Sequence, residues 1–174
     1  MSTSRTSRSD DKRSVSASDI YGIVAGWLKA MEEHRDEINA LNVFPVPDGD
    51  TGTNMYLTLQ MVLTEVQKSQ EQTVAGYAKA IKDGSLKGAR GNSGVILSQI
   101  LRGMSDVIAA APEVDAKTIA KALTSGSDTA YEAVMKPVEG TMLTVIKDMA
   151  REARRTARKT SDLVEVLDLS LIHI

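Results

Sequence analysis

Seven consecutive residues, Asp48, Gly49, Asp50, Thr51, Gly52, Thr53 and Asn54, set two carboxylates, three neutral oxygen-bearing side chains and two glycines between two apolar stretches. Carboxylates separated by one residue cannot share a helix face, but in a tight turn both can converge on one cation. Mg²⁺ takes hard oxygen ligands, keeps several waters, and is typically held by one or two protein carboxylates together with substrate phosphates. The glycines open backbone conformations closed to residues with a Cβ, and Thr51, Thr53 and Asn54 add oxygen ligands or helix caps. Taken alone, Asp-Gly and Asn are also ordinary turn formers, and a polar loop between helices commonly does no more than connect them. A calcium loop of the EF-hand kind is excluded, because counting from Asp48 its sixth place is Thr53 rather than Gly and its twelfth is Leu59 rather than Glu.

A second stretch, GSLKGARGNSG from Gly84 to Gly94, carries four glycines in eleven residues immediately before an apolar helical pattern that starts at Val95. Such a loop can aim backbone N–H groups at an anion, with the positive end of the following helix behind it. The plainer reading is a helix-to-helix turn with Asn92 or Ser93 as N-cap. No Gly-Lys-Ser/Thr occurs in the chain, so a Walker A loop is absent. Lys87 and Arg90 lie within this stretch, where a cation can neutralise charge developing on a transferred phosphoryl group, or simply face solvent.

These two loops, followed by KPVEGTMLTVIKD at Lys136 to Asp148, resemble the DAK2 (DhaL-type) kinase domain, and most closely the amino-terminal ATP-binding domain of bacterial fatty acid kinases. The resemblance runs from about Ile20 to about Ala157. It implies an all-α, up-and-down antiparallel barrel of about eight amphipathic helices that holds ATP at one end through Mg²⁺. By motif match, Asp48 and Asp50 are the metal-binding and catalytic aspartates. Thr51, Gly52, Thr53 and Asn54 continue that site, Gly88, Ala89, Gly91, Asn92, Ser93 and Gly94 match the phosphate-facing loop, and Gly140, Thr141 and Met142 match a segment that closes around the nucleotide. Arg90 is the candidate catalytic cation. Dihydroxyacetone kinases carry a further aspartate where this chain has Val43. Asn42, one place earlier, is the candidate third metal ligand, a departure shared with the fatty acid kinase branch.

The activity so implied is transfer of the ATP γ-phosphate to a fatty acid carboxylate held by a separate fatty-acid-binding protein of the DegV-like FakB type. The alternatives are an L-type dihydroxyacetone (glycerone) kinase subunit acting on a small ketose, and a non-catalytic helical module whose loops hold a structural ion. A carboxylate acceptor is already ionised at pH 7, whereas a hydroxyl acceptor needs a base, and the chain offers no obvious histidine for that. Fatty acid kinases of this type have further domains after this one, so a fragment of low activity alone is expected, with downstream domains of the same polypeptide as partners. A homodimer is compatible with the sequence.

Composition sets the remaining bounds. The chain has 174 residues, 42% hydrophobic and 25% charged, with a net charge of −2, which fits one globular domain with no global pull toward nucleic acid or membrane. Cysteine is absent and histidine occurs only at His34 and His173, which disfavours zinc and excludes thiolate sites. No apolar run reaches the length of a membrane span and no secretory signal begins the chain, so a cytoplasmic protein with no integral membrane segment is expected. Residues 1–18, rich in Ser, Arg, Thr and Asp, read as a disordered tail. Residues 19–168 read as the DAK2-like domain, and 169–174 as a non-native end or a truncated last helix.

The elements that must carry the site are helical. Ile20, Ile23, Val24, Trp27, Leu28 and Met31 follow one helix face, with Ser18 and Asp19 as starting signals and Trp27 expected in the core. Met55, Leu59, Val62, Leu63 and Val66 repeat the pattern after the first loop. Val95, Ile96, Ile100, Leu101, Met104, Val107 and Ile108 do so after the second, ending near Pro112. Asp115 opens another helix through Ile119 and Leu123, and Leu143, Ile146 and Met149 mark one after Pro137. With 3% aromatic residues, the core must be aliphatic. Arg151, Arg154, Arg155, Arg158 and Lys159 lack interleaved aromatics and read as a solvated face or a domain contact rather than an RNA-binding surface.

Overall fold

A computed structural model describes residues 13–43 and 46–172. Most of the expected tail therefore lies outside the described residues, as do Phe44 and Pro45 of the first loop and His173 and Ile174 at the end. Seven α-helices occur among the described residues: α1 (Ala17–Ala40), α2 (Thr51–Lys68), α3 (Val74–Gly88), α4 (Gly91–Ala110), α5 (Ala116–Ala133), α6 (Met142–Thr156) and α7 (Leu163–Ile172). The only strand-like pairing among them is an isolated bridge between Ser14 and Asp115, so the fold is all-α as expected.

Each helix packs mainly on its neighbours in sequence, with α2 also touching α4 and α1 touching α3. Short joints force neighbours to run antiparallel, and the contacts confirm the direction. Tyr21 near the start of α1 meets Gln67 near the end of α2, while Asn39 near the end of α1 meets Thr53 at the start of α2. Between α3 and α4, Ser85 faces Ser98 and Lys82 faces Asp106. Alternation of direction brings the starts of α2, α4 and α6 to one end of the bundle. The start of α1, pinned to the start of α5 by a Val15 N–H to Val114 carbonyl bond of 2.9 Å, lies at the other.

The starts are written locally. Ser16 caps α1 in a reciprocal box with Asp19: the Asp19 amide donates to Ser16 Oγ at 3.2 Å, and the Ser16 amide donates to Asp19 Oδ2 at 2.8 Å. The helix thus begins at Ala17, and Asp19 is the third residue of the box rather than the cap. Thr73 and Asp115 cap α3 and α5 through their side chains in the same way.

Two hydrophobic clusters share the interior. Ile20, Val24, Leu59, Val62, Val66, Tyr77, Ile81 and Leu101 form one between α1, α2, α3 and α4. The other, from Ile100 and Val114 to Leu163 and Val166, fills the space between α4, α5, α6 and α7. Helix α4 divides them, sending Ile100 to one side and Leu101 to the other. The predicted apolar stripes supply most of this core, but Ile23 and Trp27 are 40% exposed, so Trp27 is a surface residue of α1 and not a core one. Ser170, in the stretch expected to be a non-native end, is fully buried.

Periodicity assigned no helix to residues 74–88. Among the buried residues of α3 only Tyr77 and Ile81 are large; Gly76, Ala78, Gly84, Ser85 and Gly88 make up the rest and bring helices close. A Cβ built on Gly84 would lie 2.7 Å from Val62 Cα, and one on Gly88 would lie 2.5 Å from Met61 Cβ. Small residues therefore do in this bundle what aromatics do elsewhere, which explains how so little aromatic content suffices.

Candidate functional site

Asp50 occupies the N-cap position of α2, yet its side chain makes no capping hydrogen bond. The Thr53 amide, a usual target of an N-cap side chain, instead donates to Asn39 Oδ1 on α1 at 3.1 Å, and Asn39 Nδ2 donates to Thr53 Oγ1 at 3.0 Å. Asn42 closes the loop in front: its Nδ2 donates to the Val46 carbonyl at 2.6 Å, and its Oδ1 accepts from the Thr51 hydroxyl. These contacts hold the turn while leaving Asp48, exposed, and Asp50, half-buried, without a hydrogen-bond or ion-pair partner among the described residues. The two carboxylates are thus available to an external cation. Asn42 Oδ1 keeps a second lone pair, so its bond to Thr51 does not exhaust it.

The glycine-rich stretch is not one loop. Gly84 to Gly88 form the last turn of α3, Gly91 to Gly94 form the first turn of α4, and only Ala89 and Arg90 join them. Gly88 and Gly94 are buried in helix seams, where the Gly88 carbonyl accepts from Thr58 Oγ1 at 3.2 Å and a Cβ on Gly94 would lie 2.6 Å from that hydroxyl oxygen. Gly91, with φ of +57°, makes the sharp entry into α4 and lies against the side chain of the buried Asn54. Neither Asn92 nor Ser93 is the N-cap; that position belongs to Arg90, whose side chain does not cap. Gly94 N–H is bonded to the Arg90 carbonyl, which leaves the amides of Gly91, Asn92 and Ser93 without partners inside the helix.

The first and second motifs therefore meet. Ser93 Oγ lies 3.4 Å from the Thr51 carbonyl, and Asn54 lies beneath Gly91, so the first turns of α2 and α4 sit side by side with their amides at the same end of the bundle. Helix starts concentrate partial positive charge and free donors, the two requirements of an anion site.

Both cations of the second motif are engaged elsewhere. Arg90 Nη1 donates to the carbonyls of Ala89 at 2.9 Å and Lys87 at 3.3 Å, at the negative end of α3. Lys87 Nζ bonds Glu65 Oε2 at 2.6 Å, and this pairing raises the Lys87 pKa and lowers that of Glu65. An open cleft of about 260 Å³ beside Arg90 is lined by Leu57, Gln60, Met61, Thr64 and Gly88.

The third motif sits on the other half of the bundle. Thr141 caps α6, its hydroxyl donating to the Val138 carbonyl at 2.8 Å, and Met142 packs on the cluster formed by α4 to α7. Glu139 gathers Thr144 at 2.7 Å, Lys147 at 3.0 Å and Tyr131 at 3.3 Å, and the first two of these hold its carboxyl below the usual range. Among the described residues, no hydrogen bond or ion pair joins Gly140, Thr141 or Met142 to the first two motifs, although the alternation of helices brings all three to one end. His34 is paired with Glu37 at 3.2 Å on the exposed surface of α1. Arg151 and Arg155 are exposed and form ion pairs with Asp148 and Glu152.

Two residues that the sequence reading passed over organise the site. Thr58 ties α2 to the end of α3, and Asn39 caps α2 from another helix. Only the spacing Asn39-x-x-Asn42 at a helix end hinted at the latter.

The fold and this end of it define an all-α helical-bundle domain in which the first turns of α2 and α4 stand side by side. The chain belongs to the DAK2 domain family, whose model matches residues 45–171. It is 48% identical over 141 residues to an uncharacterized protein of Staphylococcus haemolyticus (strain JCSC1435), covering 81% of this chain and 26% of that protein. An uncharacterized protein of Staphylococcus aureus (strain USA300) is 45% identical over 142 residues, covering 82% of this chain and 26% of its own length. The chain thus spans about a quarter of the length of the curated relatives it matches. A DAK2 domain is a kinase-related domain of the dihydroxyacetone kinase type. Among the described residues, no helix is long and apolar enough to cross a membrane.

Proposed function

We propose that this chain is the ATP- and Mg²⁺-binding domain of a phosphotransferase that converts a fatty acid carboxylate, presented by a separate fatty-acid-binding protein, to an acyl phosphate. One observation carries the reading: Asp48 and Asp50, whose carboxylates have no partner among the described residues, lie at the start of α2, whose first turn touches that of α4 through Thr51 and Ser93. No cluster of three acidic or histidine ligands occurs among the described residues. Two carboxylates fit the Mg²⁺ mode in which phosphate oxygens and water complete the shell.

In this reading Asp48 and Asp50 hold the cation, with Asn42 as the candidate third oxygen. When bound, Mg²⁺ screens the negative charge of the phosphates and of the group in transfer. The amides of Gly91, Asn92 and Ser93 receive phosphate oxygens, and Arg90, one residue earlier, leaves the α3 carbonyls to meet the charge that develops on the γ-phosphoryl group. A carboxylate oxygen of the acceptor bonds to the γ-phosphorus as the bond to the β,γ-bridging oxygen breaks, giving acyl phosphate and ADP. The acceptor carries no proton at pH 7, so no general base is required. Gly140 to Met142 enclose the nucleotide from the start of α6. The fatty-acid-binding protein of the DegV-like type and the downstream domains of the polypeptide are the partners of this end.

Isothermal titration with ATP, with and without Mg²⁺, tests the reading. Binding should require Mg²⁺ and should disappear in Asp48→Ala and Asp50→Ala; Mg²⁺-independent binding, or none, would overturn it. Product analysis with fatty acid plus its carrier against dihydroxyacetone separates the acceptors.

A further inference from the structure

We infer that Asn39 is a positioning residue of the cation site: by capping α2 from α1, it releases the Asp50 carboxylate from the capping role that Asp50's own position would otherwise impose. This rests on the functional reading above and deepens it.

Aspartate is among the strongest N-cap residues, and a capping carboxylate accepts from an amide of the first turn. Although its ψ of 1° departs from the extended backbone of Ser16, Thr73 and Asp115, which cap with their own side chains, Asp50 stands at the cap of α2 and its carbonyl accepts the Asn54 amide at 2.8 Å. Its side chain is nonetheless unengaged. Asn39 Oδ1 has taken the Thr53 amide, and Asn39 Nδ2 has taken the Thr53 hydroxyl oxygen. A neutral amide is suited to this task because it supplies an acceptor and a donor at once and adds no charge beside the two carboxylates.

The surroundings keep Asn39 in place. It lies on the last turn of α1, where its carbonyl accepts the Asn42 amide at 3.2 Å, which links it to the loop that Asn42 closes. Gly52 permits the approach: a Cβ at that position would collide with the Arg35 carbonyl and lie 3.1 Å from Asn39 Oδ1. The end of α1 and the start of α2 can therefore touch, and the cap passes from one helix to the other. Without Asn39, the Thr53 amide is left open and Asp50 can turn back to serve it, in competition with the cation.

The test is a Mg²⁺ titration of nucleotide binding by the full chain, using a fluorescent ATP analogue, alongside thermal melting. Asn39→Ala should raise the Mg²⁺ midpoint roughly fivefold to tenfold, the size of competition from one capping hydrogen bond. Asn39→Asp keeps an acceptor for both the Thr53 amide and its hydroxyl, so its midpoint should be no higher than that of the wild type. A purely structural role would lower the melting temperature of Asn39→Ala with the midpoint unchanged, and that result would overturn the inference. So would an Asn39→Asp variant as impaired as Asn39→Ala. A wild type indifferent to Mg²⁺ would overturn the functional reading itself, which separates the two failures.

Discussion

The side chain of Asn54 fills the space that a Cβ on Gly91 would need, so the first turn of α2 and the first turn of α4 are in direct contact at this pair. Gly91 is constrained twice, by this contact and by its φ of +57°. Gly140 has a φ of +79° but open space where a Cβ would go. Gly140→Ala should cost only the backbone strain, about 1–2 kcal/mol. Gly91→Ala should cost more and should also weaken Mg²⁺-dependent nucleotide binding. Chemical denaturation of the two variants side by side, with nucleotide titration, checks both parts.

Glycines inside helices divide by what faces them. Gly22 and Gly26 on α1 have nothing within 4 Å of a built Cβ, so each change to alanine should stabilise by about 0.5–1 kcal/mol through helix propensity alone. Gly84→Ala should do the reverse, costing about 1–3 kcal/mol, because its Cβ would press on the Val62 backbone and force α2 and α3 apart. Melting temperatures of opposite sign relative to the wild type are the expected readout.

Asp115 gives the fold a pH-dependent component. Its carboxylate caps α5 by accepting the Thr118 amide at 2.8 Å, and this bond holds its pKa below the ordinary aspartate value. A depressed folded-state pKa contributes stability that is fully present above the unfolded value of about 3.9 and is lost as pH falls through the folded one. Asp115→Asn retains a capping oxygen without the titration. The wild type should therefore lose stability faster than Asp115→Asn between roughly pH 5 and pH 2. Parallel melting curves across that range would contradict it.

Arg90 offers a separation of binding from transfer. Its guanidinium rests on the carbonyls of Lys87 and Ala89, and in the proposed reading it leaves them only for the charge that develops in transfer. Arg90→Ala should slow phosphoryl transfer on the order of 10- to 100-fold while nucleotide affinity changes by less than about threefold. Equal losses in affinity and rate would reassign Arg90 to binding.

Helical class, the main apolar stripes and the two polar motifs were legible in the sequence, because amphipathic spacing and turn chemistry are local. Helix α3 was not, since its apolar spacing is short, Tyr77 to Ile81, and gives way to Gly84, Ser85 and Gly88 toward its end. The same glycines looked like a phosphate loop because sequence cannot distinguish a glycine that frees the backbone from one that admits a neighbouring helix. Trp27 was expected inside because it falls on the stripe of α1, but that stripe is wider than the face its neighbours cover.

By itself, the sequence determined that helices alternate with short turns, and that Asp48 and Asp50 fall in a turn just ahead of one of them. Only the tertiary structure decided that the second motif would stand beside the first, and that Asn39, from a different helix, would take over the cap and leave Asp50 free. The physical reason is that a cap or an anion site is satisfied by whichever donor or acceptor is nearest in space, and proximity between α1, α2 and α4 is set by how closely their small residues let them pack.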